Sequence, residues 1–195
     1  MADSPVVTVF QDRQLLILDK PHGVDSQELY KQLRDEHAYL GMHHRLDQPA
    51  SGLLLFTLDQ RVNAAIAAAF RNHTIARTYR AVLMGEATDD VWQWPLEGQA
   101  AQTTVAVLSV DNGMSAVECT LATGRTHQIR KHAAMAGVPV AGDRRYAQEA
   151  GRAWPRLALH ACRLAFTHPK SGRDIVCESE IPADLSQLWG LAASS

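Results

Sequence analysis

His43-His44-Arg45-Leu46-Asp47-Gln48-Pro49-Ala50-Ser51-Gly52-Leu53-Leu54-Leu55-Phe56 joins a polar loop to an apolar run. The run from Leu53 to Leu58 has the length and composition of a buried strand. Pro49 locks its own φ, and Gly52 allows conformations closed to other residues, so the two restrict the loop's backbone. One arginine and one aspartate stand on that loop, two positions apart. A lone carboxylate on a stiff loop beside a strand can act as a nucleophile or an acid/base. It can equally cap a turn or pair with Arg45, and spacing alone favours that plainer use.

Outward from this stretch, the pattern is one of short strands and turns. Leu15 to Leu18 reads as a buried strand, ended by the turn Lys20-Pro21-His22-Gly23. It is expected to be the first strand, with about fifteen residues before it. Asp25 can cap a helix running to about Asp35, with Glu28 completing a capping box. Gln60 to Arg71 is alanine-rich and predicts a helix with Val62, Ile66, Ala69 and Phe70 inward. Ile75 to Met84 predicts a strand. Trp92 and Trp94 lie in a poorly periodic stretch, and packing is their expected use.

Thr103–Val110 and Ser115–Leu121 predict a hairpin closed by Asp111-Asn112-Gly113. Thr126 can cap a helix carrying Ile129, Ala133 and Met135, stopped near Gly137. Leu157–Thr167 and Asp174–Cys177 predict a second hairpin, and Ala183–Leu191 a final helix. Hairpins with a few helices argue for an α+β fold with a largely antiparallel sheet. No linker or repeat divides the chain, so residues 1–195 are expected to form a single domain, or a two-lobed single catalytic unit.

Composition narrows the function. The chain has 195 residues, 46% of them hydrophobic, enough for a core. No apolar run reaches the length of a membrane span, so no membrane partner is expected. Three scattered cysteines suit a reducing, cytoplasmic setting better than a disulfide framework. The net charge is −2, yet residues 61–85 and residues 121–145 each carry +4, leaving −10 elsewhere. Such local basic windows, rather than the total, set the attraction for phosphate.

Three motifs taken together resemble those of the RluA-type pseudouridine synthases: His44-Arg45-Leu46-Asp47 with Ser51-Gly52-Leu53-Leu54-Leu55, then Arg77-Thr78-Tyr79-Arg80-Ala81, then Gly124-Arg125-Thr126-His127-Gln128-Ile129-Arg130. They stand in the family's order, and the likeness runs from about Leu15 to Gly172. Ala50 departs from the threonine usual before Ser-Gly, and Arg77 from a common lysine. The resemblance implies a pseudouridine synthase catalytic fold, a mixed sheet with flanking helices and a cleft for an extruded base. It implies the catalytic domain alone, without the small RNA-binding domain that precedes it in some relatives. The implied reaction isomerises a uridine of tRNA or rRNA to pseudouridine with no cofactor; no obligate protein partner is inferred, and a monomer is expected.

The resemblance also distributes roles. Asp47 is the essential carboxylate, by covalent attack or by removing a sugar proton to give a glycal. Arg125 keeps that carboxylate ionised, since an unpaired charge in a dry pocket is costly. Tyr79 stacks on the base and can move a proton. Arg45 fills the space the uridine leaves, or binds a phosphate. His44, Arg77, His127 and Arg130 complete the substrate-binding set. His43, His44, His127 and His132 lack metal-ligand spacing, so no metal is expected. Asp143 reads as a turn residue. A non-catalytic RNA-binding or folding-assistance protein on the same scaffold is the alternative. A glycoside-cleaving enzyme ranks last, because no second carboxylate stands in the motifs.

Overall fold

The structure is a computed structural model that describes residues 5–149 and 153–191. Among the described residues the strands are β1 (Val7–Gln11), β2 (Leu15–Lys20), β3 (Gly41–Met42), β4 (Ser51–Thr57), β5 (Ala76–Met84), β6 (Asp90–Trp92), β7 (Thr103–Asp111), β8 (Met114–Leu121), β9 (Leu159–Thr167) and β10 (Asp174–Glu178). The α-helices described are α1 (Ser26–Arg34), α2 (Asn63–Arg71), α3 (Gln128–Met135) and α4 (Ala183–Leu191). The fold is α+β, with mostly antiparallel pairing, as the hairpin pattern predicts. The chain forms two compact units. One takes the chain up to Arg77 together with Ala161–Ser179; the other takes Thr78–His160 with the chain from Glu180 onward.

In the first unit the strand order is β1-β2-β4-β9-β10, and β3 pairs the end of β4. Every residue of β4 is buried, so its two faces are both apolar and its sequence shows no alternation. Leu15 and Ile17 of β2 and Leu53 and Leu55 of β4 pack with Val62 and Ile66. Each such fully buried aliphatic side chain contributes about 1.5–3 kcal/mol. A 3-10 turn, Gln60–Val62, leads into α2, so the predicted helix is broken in two at Asn63. Asp25 caps α1 by accepting from the amides of Gln27 and Glu28, at 2.8 and 3.1 Å. Glu28 bonds to Lys31 at 3.2 Å instead of reaching back to close a capping box. The first strand is β1, not β2. It pairs antiparallel with β2, and its residues are mostly exposed, so no apolar run marked it.

In the second unit the order is β5-β8-β7-β6. The β7–β8 hairpin closes at Asn112 and Gly113, with φ of +52° and +70°. Positive φ at both positions is what a two-residue hairpin loop of matching twist requires. Tyr79, Cys119 and Val105 stand opposite one another across β5, β8 and β7, and all three are buried. Trp92 is buried, whereas Trp94 is 39% exposed, and both rings meet the buried His132 edge-on. Met135, the last residue of α3, is exposed. The inward face of that helix is built from Ile129, Arg130, His132 and Ala133.

Candidate active site

The loop carrying Asp47 is tied down at alternate residues. His44 Nε2 accepts the amide of Leu55 at 2.8 Å. Ser26 Oγ donates to the Leu46 carbonyl at 2.9 Å and accepts the Leu46 amide at 3.2 Å. The Gln48 carbonyl accepts the Gly23 amide at 2.8 Å, and the Gln48 side chain donates back to Gly23 at 3.1 Å. The amide of Ala50 closes a turn on the Asp47 carbonyl at 3.0 Å. Between these anchors Arg45 is exposed and Asp47 is half-buried.

Lys20 is the centre of this clamp. Its side chain is fully buried, and Nζ donates to the carbonyls of Ala50, Val24 and Pro21 at 2.6, 2.9 and 3.0 Å, with Gln48 at 3.4 Å. One ammonium thus fastens the Lys-Pro-x-Gly turn to the Asp47 loop. At the loop's exit Gly52 has a φ of +112°, and a Cβ there would lie 2.3 Å from the Ala161 carbonyl oxygen. Only glycine lets the two backbones come that close.

His44 and Arg77 serve the inside of this unit. The His44 ring stacks on Phe70 with centroids 4.6 Å apart, and the Arg77 guanidinium lies 5.8 Å from the same ring. Burial, the Arg77 charge and His43 push the His44 pKa down to about 3. The ring is therefore neutral at physiological pH, as its acceptor role towards Leu55 demands. His43 Nε2 meets Thr57 Oγ1 and Asn63 Oδ1 at 3.1 and 3.2 Å, and burial lowers its pKa as well, against the Asn63 bond.

The second unit holds the other two motifs. Tyr79 lies in β5, buried at the register position opposite Cys119. Arg125 is exposed, and Nε donates to the Ala100 carbonyl at 3.0 Å. Among the described residues of its own unit that carbonyl is the guanidinium's partner, and no carboxylate is. The loop before α3 is shaped by Gln128, whose side chain is almost wholly buried. Its oxygen accepts from Thr123 Oγ1 at 2.6 Å and from the Arg125 amide at 3.0 Å. Its nitrogen donates to the Gln102 carbonyl at 2.9 Å and Thr103 Oγ1 at 3.0 Å. The helix cap is His127 rather than the expected Thr126. It sits in the left-handed region at φ +55° without a side-chain cap, and its Nδ1 meets the Tyr146 hydroxyl at 2.9 Å.

Arg130 is buried and bidentate on Asp143, with Nε and Nη2 bonds of 2.7 and 2.8 Å. Its guanidinium also lies 5.2 Å from the Tyr146 ring. Asp143 is more than the turn residue expected. It accepts the amides of Arg145 and Tyr146 while holding Arg130. Burial pulls its pKa up, but Arg130 and those amides outweigh it and leave the carboxyl below its ordinary value.

Of the five residues assigned to substrate binding, then, His44, Arg77, His127 and Arg130 have internal work. Arg45 is exposed and has no hydrogen bond or ion pair among the described residues. Sequence reasoning missed the positioning residues Lys20, Ser26, Gln128 and Asp143. A lysine ending a strand that opens on four apolar residues, Leu15 to Leu18, was the one legible signal.

The sequence profile of the family described as RNA pseudouridylate synthase matches residues 14–135. The chain belongs to that family. The synthase is 30% identical to the ribosomal large subunit pseudouridine synthase D of Zymomonas mobilis subsp. mobilis, over 96% of this chain and 73% of that protein. It is 28% identical to the dual-specificity RNA pseudouridine synthase RluA of Yersinia pestis, over 90% of this chain and all of that protein. Its fold is that of the solved human RNA pseudouridylate synthase domain containing 1, with a TM-score of 0.74 at 23% identity, covering 98% of this chain and 96% of that one. The synthase is thus an isomerase whose substrate is RNA.

Proposed function

We propose that the synthase converts a uridine of ribosomal or transfer RNA to pseudouridine, with Asp47 as the carboxylate on which the reaction turns. The observation that carries this reading is the clamp. Lys20, Ser26, His44 and Gln48 restrain the loop on both sides of Asp47. Such restraint makes sense for a group that must meet a reacting atom in one geometry.

The chemistry breaks the bond between the sugar C1′ and the uracil N1 and forms one between C1′ and C5. N1 ends protonated, and the C5 proton leaves to a base. Asp47 either attacks a carbon and is later displaced, or removes a sugar proton to give a glycal. Tyr79 and Arg125 keep the roles their motifs imply, each measured by single-substitution kinetics. Arg45 contacts the RNA around the extruded nucleotide, while His44, Arg77, His127 and Arg130 position the residues that do. We further propose a monomer working in the cytoplasm.

Release of tritium from C5-labelled uridine in RNA tests the assignment. Asp47→Asn is expected to stop release while RNA affinity, read by filter binding, persists. Near-normal release from the variant would end the assignment. Mapping carbodiimide-reactive pseudouridines in cellular RNA with and without the synthase identifies the target.

A further inference from the structure

Beside the Asp47 loop the first unit is hollowed by two cavities of about 470 and 580 Å³. They share Tyr30, Met42 and His43, so they form one trough. It runs from Arg45, two residues before Asp47, along α1 past Tyr30 and Arg34 to His37 and Tyr39.

We propose that this trough holds the RNA strand adjoining the target uridine, with phosphates on Arg34 and Arg45 and bases against Tyr30 and Tyr39. The proposal rests on the reading that Asp47 receives a uridine drawn out of RNA. Four observations carry it. Arg34 and Arg45 are both exposed, and neither side chain has a hydrogen bond or ion pair among the described residues. No aspartate or glutamate lines either cavity; Asp35 and Glu36 follow Arg34 in the chain but lie outside the lining.

The tyrosine hydroxyls are used inward, Tyr30 on the Leu40 carbonyl at 3.3 Å and Tyr39 with Asn63. Both rings are thereby held as half-buried aromatic walls. Finally, the trough ends at the loop that carries the proposed catalytic carboxylate. Unpaired guanidinium groups alternating with fixed aromatic rings suit a single strand, whose charge repeats and whose bases stack. An acidic peptide offers charge without flat bases and would leave the rings unused.

The test uses the whole synthase and a fluorescein-labelled RNA hairpin with a uridine-containing loop, read by anisotropy over a salt series. Arg34→Gln is the variant, and Arg13→Gln removes the same charge from an exposed site outside the trough. Arg34→Gln is expected to weaken binding about tenfold. It should also make the slope of log affinity against log salt shallower by about 0.7, one phosphate on a single strand. Arg13→Gln should leave both within error.

An affinity unchanged by Arg34→Gln, or lowered equally by Arg13→Gln, overturns the proposal. So does a hairpin displaced as readily by polyglutamate as by unlabelled hairpin. Tritium release is scored separately. A wild-type synthase that binds through Arg34 but never turns over any RNA refutes the reading of Asp47 and leaves the trough standing.

Discussion

Replacing Lys20 by methionine keeps the stem of a fully buried side chain and removes only the ammonium. Three donations are lost, to Ala50, Val24 and Pro21 at 2.6–3.0 Å, and a longer one to Gln48. Hydrogen bonds to a charged group contribute about 1.5–3 kcal/mol each, so the gross loss is roughly 5–9 kcal/mol. Relief from burying an ammonium, several kcal/mol, offsets part of that. A net loss of about 3 kcal/mol remains, which for a chain of this size lowers Tm by about 6–12 °C.

The kinetic consequence should be sharper. Freed from the clamp, the Asp47 loop loses its one geometry, and a misplacement of about 1 Å can cost a hundredfold in rate. Thermal unfolding followed by circular dichroism gives the first quantity. Tritium release, measured well below either Tm, gives the second. RNA affinity should hold, because the ammonium is spent on backbone carbonyls. A Tm within about 2 °C of the wild type together with turnover within about twofold would refute the argument that this lysine builds the site.

Two further outcomes follow from the same geometry. Arg130→Met leaves Asp143 buried without its guanidinium and should cost about 3–5 kcal/mol in urea unfolding, partly recovered in the Arg130→Met/Asp143→Leu double variant; a loss under about 1 kcal/mol would mean that the pair contributes little. For His44 the unfolded ring titrates near 6.5 and the folded ring near 3, so both are neutral at pH 7.5 and stability drains as pH falls below 6.5. Allowing for the ring's partial exposure, about 1–2 kcal/mol should be lost by pH 5. His44→Gln, which retains an acceptor but cannot charge, should lack that component, and an unchanged pH profile in the variant would count against it.

The local grammar of the chain was legible because it is enforced by neighbours in sequence. Asn112-Gly113 demanded positive φ and so marked a hairpin. Asp25 stood where orphan amides needed an acceptor, and Leu53 to Phe56 could only be covered. Where the same reasoning failed, something distant had intervened. Thr126 is a good cap by type, yet Gln128 satisfies the loop and leaves His127 at the helix start. Val7–Gln11 is mostly exposed, so it became a strand through pairing with β2 rather than through any pattern of its own.

By itself, then, the sequence determined the order of strands and turns and the chemistry on offer in each motif, since φ limits, periodicity and side-chain type act over a few residues. Tertiary structure decided which of those charged groups are still available to a substrate. Arg130 is consumed by a carboxylate thirteen residues away, and the acceptor nitrogen of His44 by an amide eleven residues away. Lys20 is spent on a carbonyl thirty residues away, while Arg45 and Arg34 are left exposed. A charge is committed or free according to what folding brings beside it, and that depends on contacts no local pattern encodes.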